Sequence, residues 1–205
     1  MTSPTTDLSE HLALDAAAQD LLFRQARSAN TFTAEPVSDE QVAALYDLIK
    51  WGPTAMNTQP LRLVAVRSPE AKERLVGHMF EGNKAKTAQA PLTVVLAYDA
   101  DFHEHLPTNF PHKPEAKELF GVEEVRHGFA APQAWLQAGY FILGVRALGL
   151  AAGPMAGFDG AGIDADLLAG TTLRSFAVVN IGHPGPDAFF DRLPRHDHDH
   201  AVITL

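Results

Sequence analysis

Apolar positions change their spacing several times along this chain, and each change predicts an element. After Ser38, residues Val42, Leu45, Leu48 and Ile49 recur at helical period. Ser38 and Gln41 have the spacing of a capping box, and Gly52-Pro53 stop the helix. An earlier helix is predicted over Asp15–Gln25, with Leu21, Leu22 and Phe23 as its apolar content. "LRLVAV" (Leu61–Val66) alternates as a strand does. Ser68, Pro69 and Glu70 read as an N-cap, a proline at the first helical position and an acidic first turn, opening a helix that runs to about Met79. "LTVVLAY" (Leu92–Tyr98) and "FAVVNIG" (Phe176–Gly182) are apolar enough to be buried strands. Gly128–Leu150 is the longest predicted helix. It is apolar nearly all round, which places it in a core or at a subunit interface. Asp101–His127 is irregular, with Pro107, Pro111 and Pro114, and reads as a flap with one short helix near Pro114–Phe120. Strands and helices mix without a strict βαβ rhythm, so the fold class is α+β.

Composition narrows the field. The chain has 205 residues, 46 % hydrophobic and 20 % charged, which suits one globular domain over residues 1–205, with 1–14 expected to be flexible. A formal net charge of −9 disfavours non-specific attraction to nucleic acid or anionic membrane. No apolar run is long enough for a transmembrane helix, and the N-terminus lacks the pattern of a signal peptide. Cysteine is absent, so disulfides and thiolate chemistry are excluded, and a cytoplasmic location is expected.

The common catalytic fingerprints are missing. There is no Gly-x-Gly-x-x-Gly after a strand, no P-loop, no Gly-x-Ser-x-Gly elbow and no His-Glu-x-x-His. "HDHDH" (His196–His200) admits two readings. On a strand, alternate histidines would share a face and suit a transition metal; otherwise the segment is a solvated polar terminus. "WGPTAMNTQP" (Trp51–Pro60) holds more hydrogen-bonding groups than a plain connector needs.

Several separated stretches line up in order: "ARSANTF", "WGPTAMNTQP", "GNKAKTAQAP", "GPMAGFD", "VVNIGHP" and "RLPR". Together, over Ala26–Arg195, they resemble the nitroreductase family of FMN-dependent oxidoreductases. "YDLIKWGPT", "GNKAKT", "RALGLAAGPMAGFD" and "RLPR" look like the branch that contains malonic semialdehyde reductase. The resemblance implies a nitroreductase-like fold with a mixed or antiparallel sheet. It also implies an intertwined homodimer with FMN at the subunit interface, the long helix at its centre, and NADH or NADPH as hydride donor.

The same resemblance assigns residues. Arg27, Ser28 and Arg192 match the family's phosphate-binding positions, and Asn30 stands where many relatives carry a basic residue near the ring's pyrimidine edge, able to hydrogen-bond but without charge. Phe190 stands where some relatives have lysine, so one phosphate cation is expected to be missing. Asn83 and Lys86 match the ring-edge pair. Pro53, Thr54 and Ala55 match the segment reaching under the ring from the partner, with Asn57 and Gln59 holding that loop's own shape. Ala156 and Gly157 match a loop on the ring's other edge, with Ala156 in place of a common glutamate.

With hydride carried on a flavin, no protein nucleophile is needed. The branch likeness points to a small aldehyde acid, malonic semialdehyde, reduced to 3-hydroxypropionate, with Arg126 as a carboxylate partner. A broad reductase of nitroaromatics or quinones is the alternative, with Phe102 and Phe110 offering flat apolar contacts. A flavin-binding protein with little turnover is the reading from another class.

Overall fold

The computed structural model describes residues 11–205; the first ten residues of the expected flexible leader lie outside the described residues. Strands β1 (Leu61–Val66), β2 (Leu92–Asp99), β3 (Ala151–Met155) and β4 (Leu173–Gly182) form one sheet in the order β1-β2-β4-β3. Every pairing is antiparallel. The α+β class holds, and of the two sheet types expected it is the antiparallel one.

Both faces of the sheet are covered, which explains the continuous apolar runs of β2 and β4. Leu92, Val94, Leu96, Val179 and Ile181 face helices α2 (Asp39–Ile49) and α6 (Glu123–Ala147). Val95, Ala97 and Val178 face α3 (Pro69–His78) and α7 (Gly160–Asp166). Between α3 and β2 lies α4 (Glu81–Gln89). One polar pair crosses this core: Thr93 Oγ1 donates to Asn180 Oδ1 at 2.8 Å, and Asn180 Nδ2 donates to the Lys86 carbonyl at 3.2 Å. That chain satisfies buried polar groups and fixes α4 against the sheet.

The local readings stand in most places. Ser38 and Gln41 form the complete capping box of α2. Ser68 caps α3, with Pro69 in its first turn. The N-terminal segment forms a short helix α1 (Ala16–Gln19) that continues as a wide turn to Arg24. In the flap, 3₁₀ turns cover Phe102–His105 and Pro114–Phe120, with one α-helical turn, α5 (Leu106–Asn109), between them. Two readings need correction. Helix α6 begins at Glu123 and stops at Ala147, where Leu148 and left-handed Gly149 (φ 74°) turn the chain. The "GPMAGFD" stretch, matched to a loop, is a loop only after Met155: Ala151–Met155 are an edge strand, and Pro154 is tolerated there because an edge residue need not donate to a ladder.

Helices α2 and α6 approach closely at Gly144. A Cβ there would lie 2.4 Å from Ile49 Cγ2 and 2.7 Å from Leu45 Cδ1. Gly144→Ala should destabilise the fold by about 1–3 kcal/mol through overpacking, seen as a lower denaturant midpoint with an unchanged slope. A second prediction concerns the tie between α3 and α7. The Arg74 guanidinium, then the His78 ring, hold the Asp166 carboxyl down at about 2, against an ordinary 3.8. The folded value is depressed, so the contribution is complete above pH 3.8 and is lost as pH falls through about 2. The difference in melting temperature between the wild type and Asp166→Asn should therefore shrink across that window.

Candidate functional site

The edge of the sheet at β3 organises the first group of site residues. The Ala29 N–H donates to the Ala152 carbonyl at 2.9 Å, outside the sheet's own ladder. Gly153 permits this approach, since a Cβ there would sit 2.5 Å from the Ala29 carbonyl oxygen. The same segment is zipped to the chain after β4. Asn30 N–H donates to Ala188 O at 2.9 Å, Thr31 Oγ1 to Pro186 O at 2.6 Å, and Gly185 N–H to Thr31 O at 3.1 Å. Residues 26–30, residues 190–195 and the last turn of α6 thereby enclose a cavity of about 420 Å³.

Arg27, Ser28, Asn30 and Arg192, all predicted, line this cavity, and Arg146 and Arg195 join them. The guanidiniums also hold the walls. Arg27 Nη1 donates to Phe190 O at 2.9 Å, Arg146 Nη2 to Arg27 O at 3.0 Å, and Arg192 Nη2 to Ala26 O at 3.1 Å. No carboxylate pairs with any of the four arginines among the described residues, although Asp191 stands on the wall. Burial, then the neighbouring Arg192 charge, lower the Arg146 pKa. Like charges crowded in this way favour an incoming anion.

Arg146, in the last turn of α6, adds a cation to the cavity that has uncharged Phe190 in its lining. It was overlooked because a basic residue in a helix's last turn reads as a dipole partner. Its position at the end of an apolar helix, one turn before a strand, was the available signal.

A second group lies further along the same strand. Asn83 Nδ2 donates to Gly157 O at 2.8 Å, and Phe80 N–H donates to the same oxygen at 3.0 Å. A Cβ on Gly157 would lie 2.7 Å from Asn83 Nδ2, so glycine is required for this clamp. Ala156 and Gly157 follow β3 directly, roughly 13 Å beyond Gly153 at the rise of an extended chain. Lys86 is half-buried on the same helix as Asn83, and its ammonium has no hydrogen-bond or ion-pair partner among the described residues. The β3 edge thus runs from a cationic cavity to a ring-edge clamp.

Pro53, Thr54 and Ala55 do not join either group. They precede β1, at the opposite edge of the sheet, three strand spacings or roughly 14 Å from β3. Their loop is unusual: Met56, Asn57 and Gln59 have φ of 55°, 51° and 44°. Gln133 and Gln137, one turn apart on α6, brace it. Gln133 Oε1 accepts from Ala55 N–H at 2.8 Å, and Gln137 Oε1 accepts from Leu61 N–H at 3.0 Å. Gln59 Nε2 donates to Asn57 Oδ1 at 3.0 Å, and Asn57 Nδ2 donates to Asn109 O in the flap at 2.8 Å. Thr54 Oγ1 accepts from Gln59 N–H at 3.2 Å. The Ala55 N–H is therefore occupied. Among the described residues the Thr54 N–H, its hydroxyl hydrogen and the Pro53 carbonyl remain unbonded.

The flap differs from expectation. Phe102 is fully buried in a cluster with Leu106, Ala116, Phe120 and Ala130, so it cannot face an acceptor; Phe110 packs at that cluster's margin. Arg126 Nη1 donates to Phe120 O at 3.1 Å, and its Nε lies 3.5 Å from Asp101. That guanidinium braces the flap. His198–Ala201 is a helical turn, α8, so alternate histidines of the terminal tract do not share a strand face. Among the described residues no cluster of His, Cys, Asp or Glu could hold a metal ion, and no helix is long and apolar enough to cross a membrane.

Comparison with known proteins bears on this arrangement. The model of the nitroreductase family matches residues 23–183. A Streptomyces coelicolor protein provisionally named NADH dehydrogenase/NAD(P)H nitroreductase is 60 % identical over 195 residues, covering 95 % of this chain and 99 % of that one. Among solved structures, one provisionally described as a Bacillus subtilis nitroreductase superposes with a TM-score of 0.82 at 20 % identity, covering 93 % of this chain and all of that one. Another, from Exiguobacterium sibiricum and described as a complex with FMN, has a TM-score of 0.82 at 15 % identity over 94 % and 98 % of the two chains. At such identities the solved structures speak to the fold alone, but the family model and the Streptomyces relative speak to descent, and this chain belongs to the nitroreductase family.

Proposed function

We propose that this protein is an FMN-dependent NAD(P)H oxidoreductase that works as a homodimer. The observation that carries the reading is the β3 edge, where unpaired guanidiniums at one end and the Asn83–Gly157 clamp with free Lys86 at the other fit a molecule with a phosphate and a flat polar ring. When bound, FMN supplies hydride transfer from NAD(P)H to an acceptor. The chain's residues do the rest. Arg27, Ser28 and Arg192 hold the phosphate dianion by charge and hydrogen bonds; Asn30, expected near the ring's pyrimidine edge, lines the same cavity as an uncharged hydrogen-bonding group. Asn83 fixes the clamp. The Lys86 ammonium favours negative charge at the ring's pyrimidine edge, which preorganised electrostatics turns into a rate effect. Ala156 and Gly157 present backbone to the other edge.

A dimer reconciles the stranded loop with this site. Pro53, Thr54 and Ala55 of a second copy complete the ring pocket, and the free Thr54 hydroxyl acts as a donor. Support comes from the face that carries this loop. Trp51 is 78 % exposed, and Tyr46, Leu48, Trp135, Leu136 and Tyr140 lie exposed on α2 and α6. An apolar surface of that extent marks an interaction site. A cytoplasmic setting, where reduced nicotinamide nucleotides circulate, belongs to the same reading.

For the acceptor, malonic semialdehyde is the first choice, supported by the branch-like motifs. A broad nitroaromatic or quinone reductase is the second, favoured by the nitroreductase name of the 60 % identical relative. Steady-state rates with NADH, NADPH and each acceptor decide between them. The first reading expects a higher kcat/KM for the semialdehyde; a nitroaromatic turned over far faster would replace it. A protein that binds FMN and turns over nothing would be a flavin carrier. The role of Lys86 has its own test. Lys86→Ala should slow NADH-driven bleaching of the flavin absorbance by roughly ten- to a hundredfold while size-exclusion chromatography shows an unchanged dimer.

A further inference from the structure

Four arginines face the α6 cavity, and the family resemblance accounts for only Arg27 and Arg192. Arg146 reaches the cavity from α6, an element that contributes none of the expected phosphate contacts. Its Nη2 donates to the Arg27 carbonyl at 3.0 Å, which sets the guanidinium beside Arg27 and near enough to Arg192 to feel its charge. It has no carboxylate partner among the described residues. On the facing wall Phe190 brings a ring 74 % exposed and no charge, and only its carbonyl is used, as acceptor for Arg27. Position 190, which lacks a cation, and the helix end that supplies one line the same cavity.

We propose that Arg146 is a phosphate-binding residue that replaces the cation absent at Phe190, so that this chain discriminates a flavin phosphate from the unphosphorylated flavin through α6. The proposal rests on the FMN reading and deepens it. A planar guanidinium gives two donors to phosphate oxygens where an ammonium gives a point charge, so the replacement also fixes phosphate orientation. The anion in turn relieves the repulsion between Arg146 and Arg192. Rigidity follows too, because Arg146 is anchored to a helix packed on the sheet, whereas residue 190 lies in an irregular segment.

The test titrates the full chain, freed of bound flavin, with FMN and with riboflavin, following quenching of flavin fluorescence. Arg146→Gln keeps a hydrogen-bond donor for the Arg27 carbonyl and removes the charge. It should weaken FMN at least tenfold and riboflavin less than twofold, and Phe190→Lys added to it should restore most of the FMN affinity. Equal weakening of both flavins, or unchanged FMN affinity, overturns the proposal, since a residue that only braces the wall would act on both. If Arg146→Gln does not fold, Phe190→Lys alone is decisive. With the cation place already filled, it should raise FMN affinity less than threefold; a tenfold gain would mean the place was vacant. A wild-type chain that binds neither flavin would remove the FMN reading itself, which keeps the two failures distinct.

Discussion

The close packing of α6 on the sheet is the constraint from which the rest of the arrangement follows. Ala130, Ala134, Ala138, Gly144 and Val145 face inward and are buried, and Gly144 lets Leu45 and Ile49 of α2 come within a distance no larger side chain allows. With the axis held there, residues along the helix fall at set heights. Gln133 and Arg146 are thirteen residues apart, roughly 20 Å along an α-helix. One braces the strained loop before β1, and the other closes the cavity beside β3. The outward face between them carries Trp135, Leu136 and Tyr140. A single rigid rod therefore fixes the spacing between the two sheet edges that the proposed dimer would bring together.

Much of the fold was legible because its signals are local. The capping box of α2, the N-cap of α3, the alternation of β1 and the apolar runs of β2 and β4 need only a few neighbouring residues to be read, and they fell where expected. β3 was not legible. "AAGPM" has no β-branched residue and contains both strand-breaking types; it is a strand because β4 pairs with it from Val178 to Gly182, further along the chain. Helix α7 hides in a glycine-rich stretch. It forms because Asp159 Oδ1 accepts from the Gly162 N–H and Ile163 reaches the core. The start of α6 was set too late, since Glu123 and Glu124 ahead of the apolar run already mark an acidic first turn.

The candidate site divides along the same line. Arg27, Ser28, Asn30 and Arg192 could be named from ordered motifs, and they do share one cavity. Arg146 and the two glutamines of α6 could not, because their roles depend on which distant segment lies across the helix. In the sequence Gln133 and Gln137 simply break the apolar run from Ala130 to Val145. Their spacing of four puts them on one side of the helix, where they serve two backbone donors of a loop some seventy residues earlier.

That loop carries the physical argument furthest. Three residues without the freedom of glycine hold left-handed backbone angles, each costing roughly 1–3 kcal/mol. A solvated connector of ten residues would relax into cheaper turns. This one is held by Gln133, Gln137, the Asn57–Asn109 hydrogen bond and the packing of Met56 on the flap's aromatic cluster. The same bonds occupy the Ala55 amide and one acceptor site of Thr54 Oγ1, and the Thr54 hydroxyl keeps its hydrogen to donate. A loop held in this way has little backbone entropy left to lose when it meets a ligand. In the proposed dimer such a loop would lie under a ligand, and its polar groups would then serve something outside their own chain as well as the connector itself.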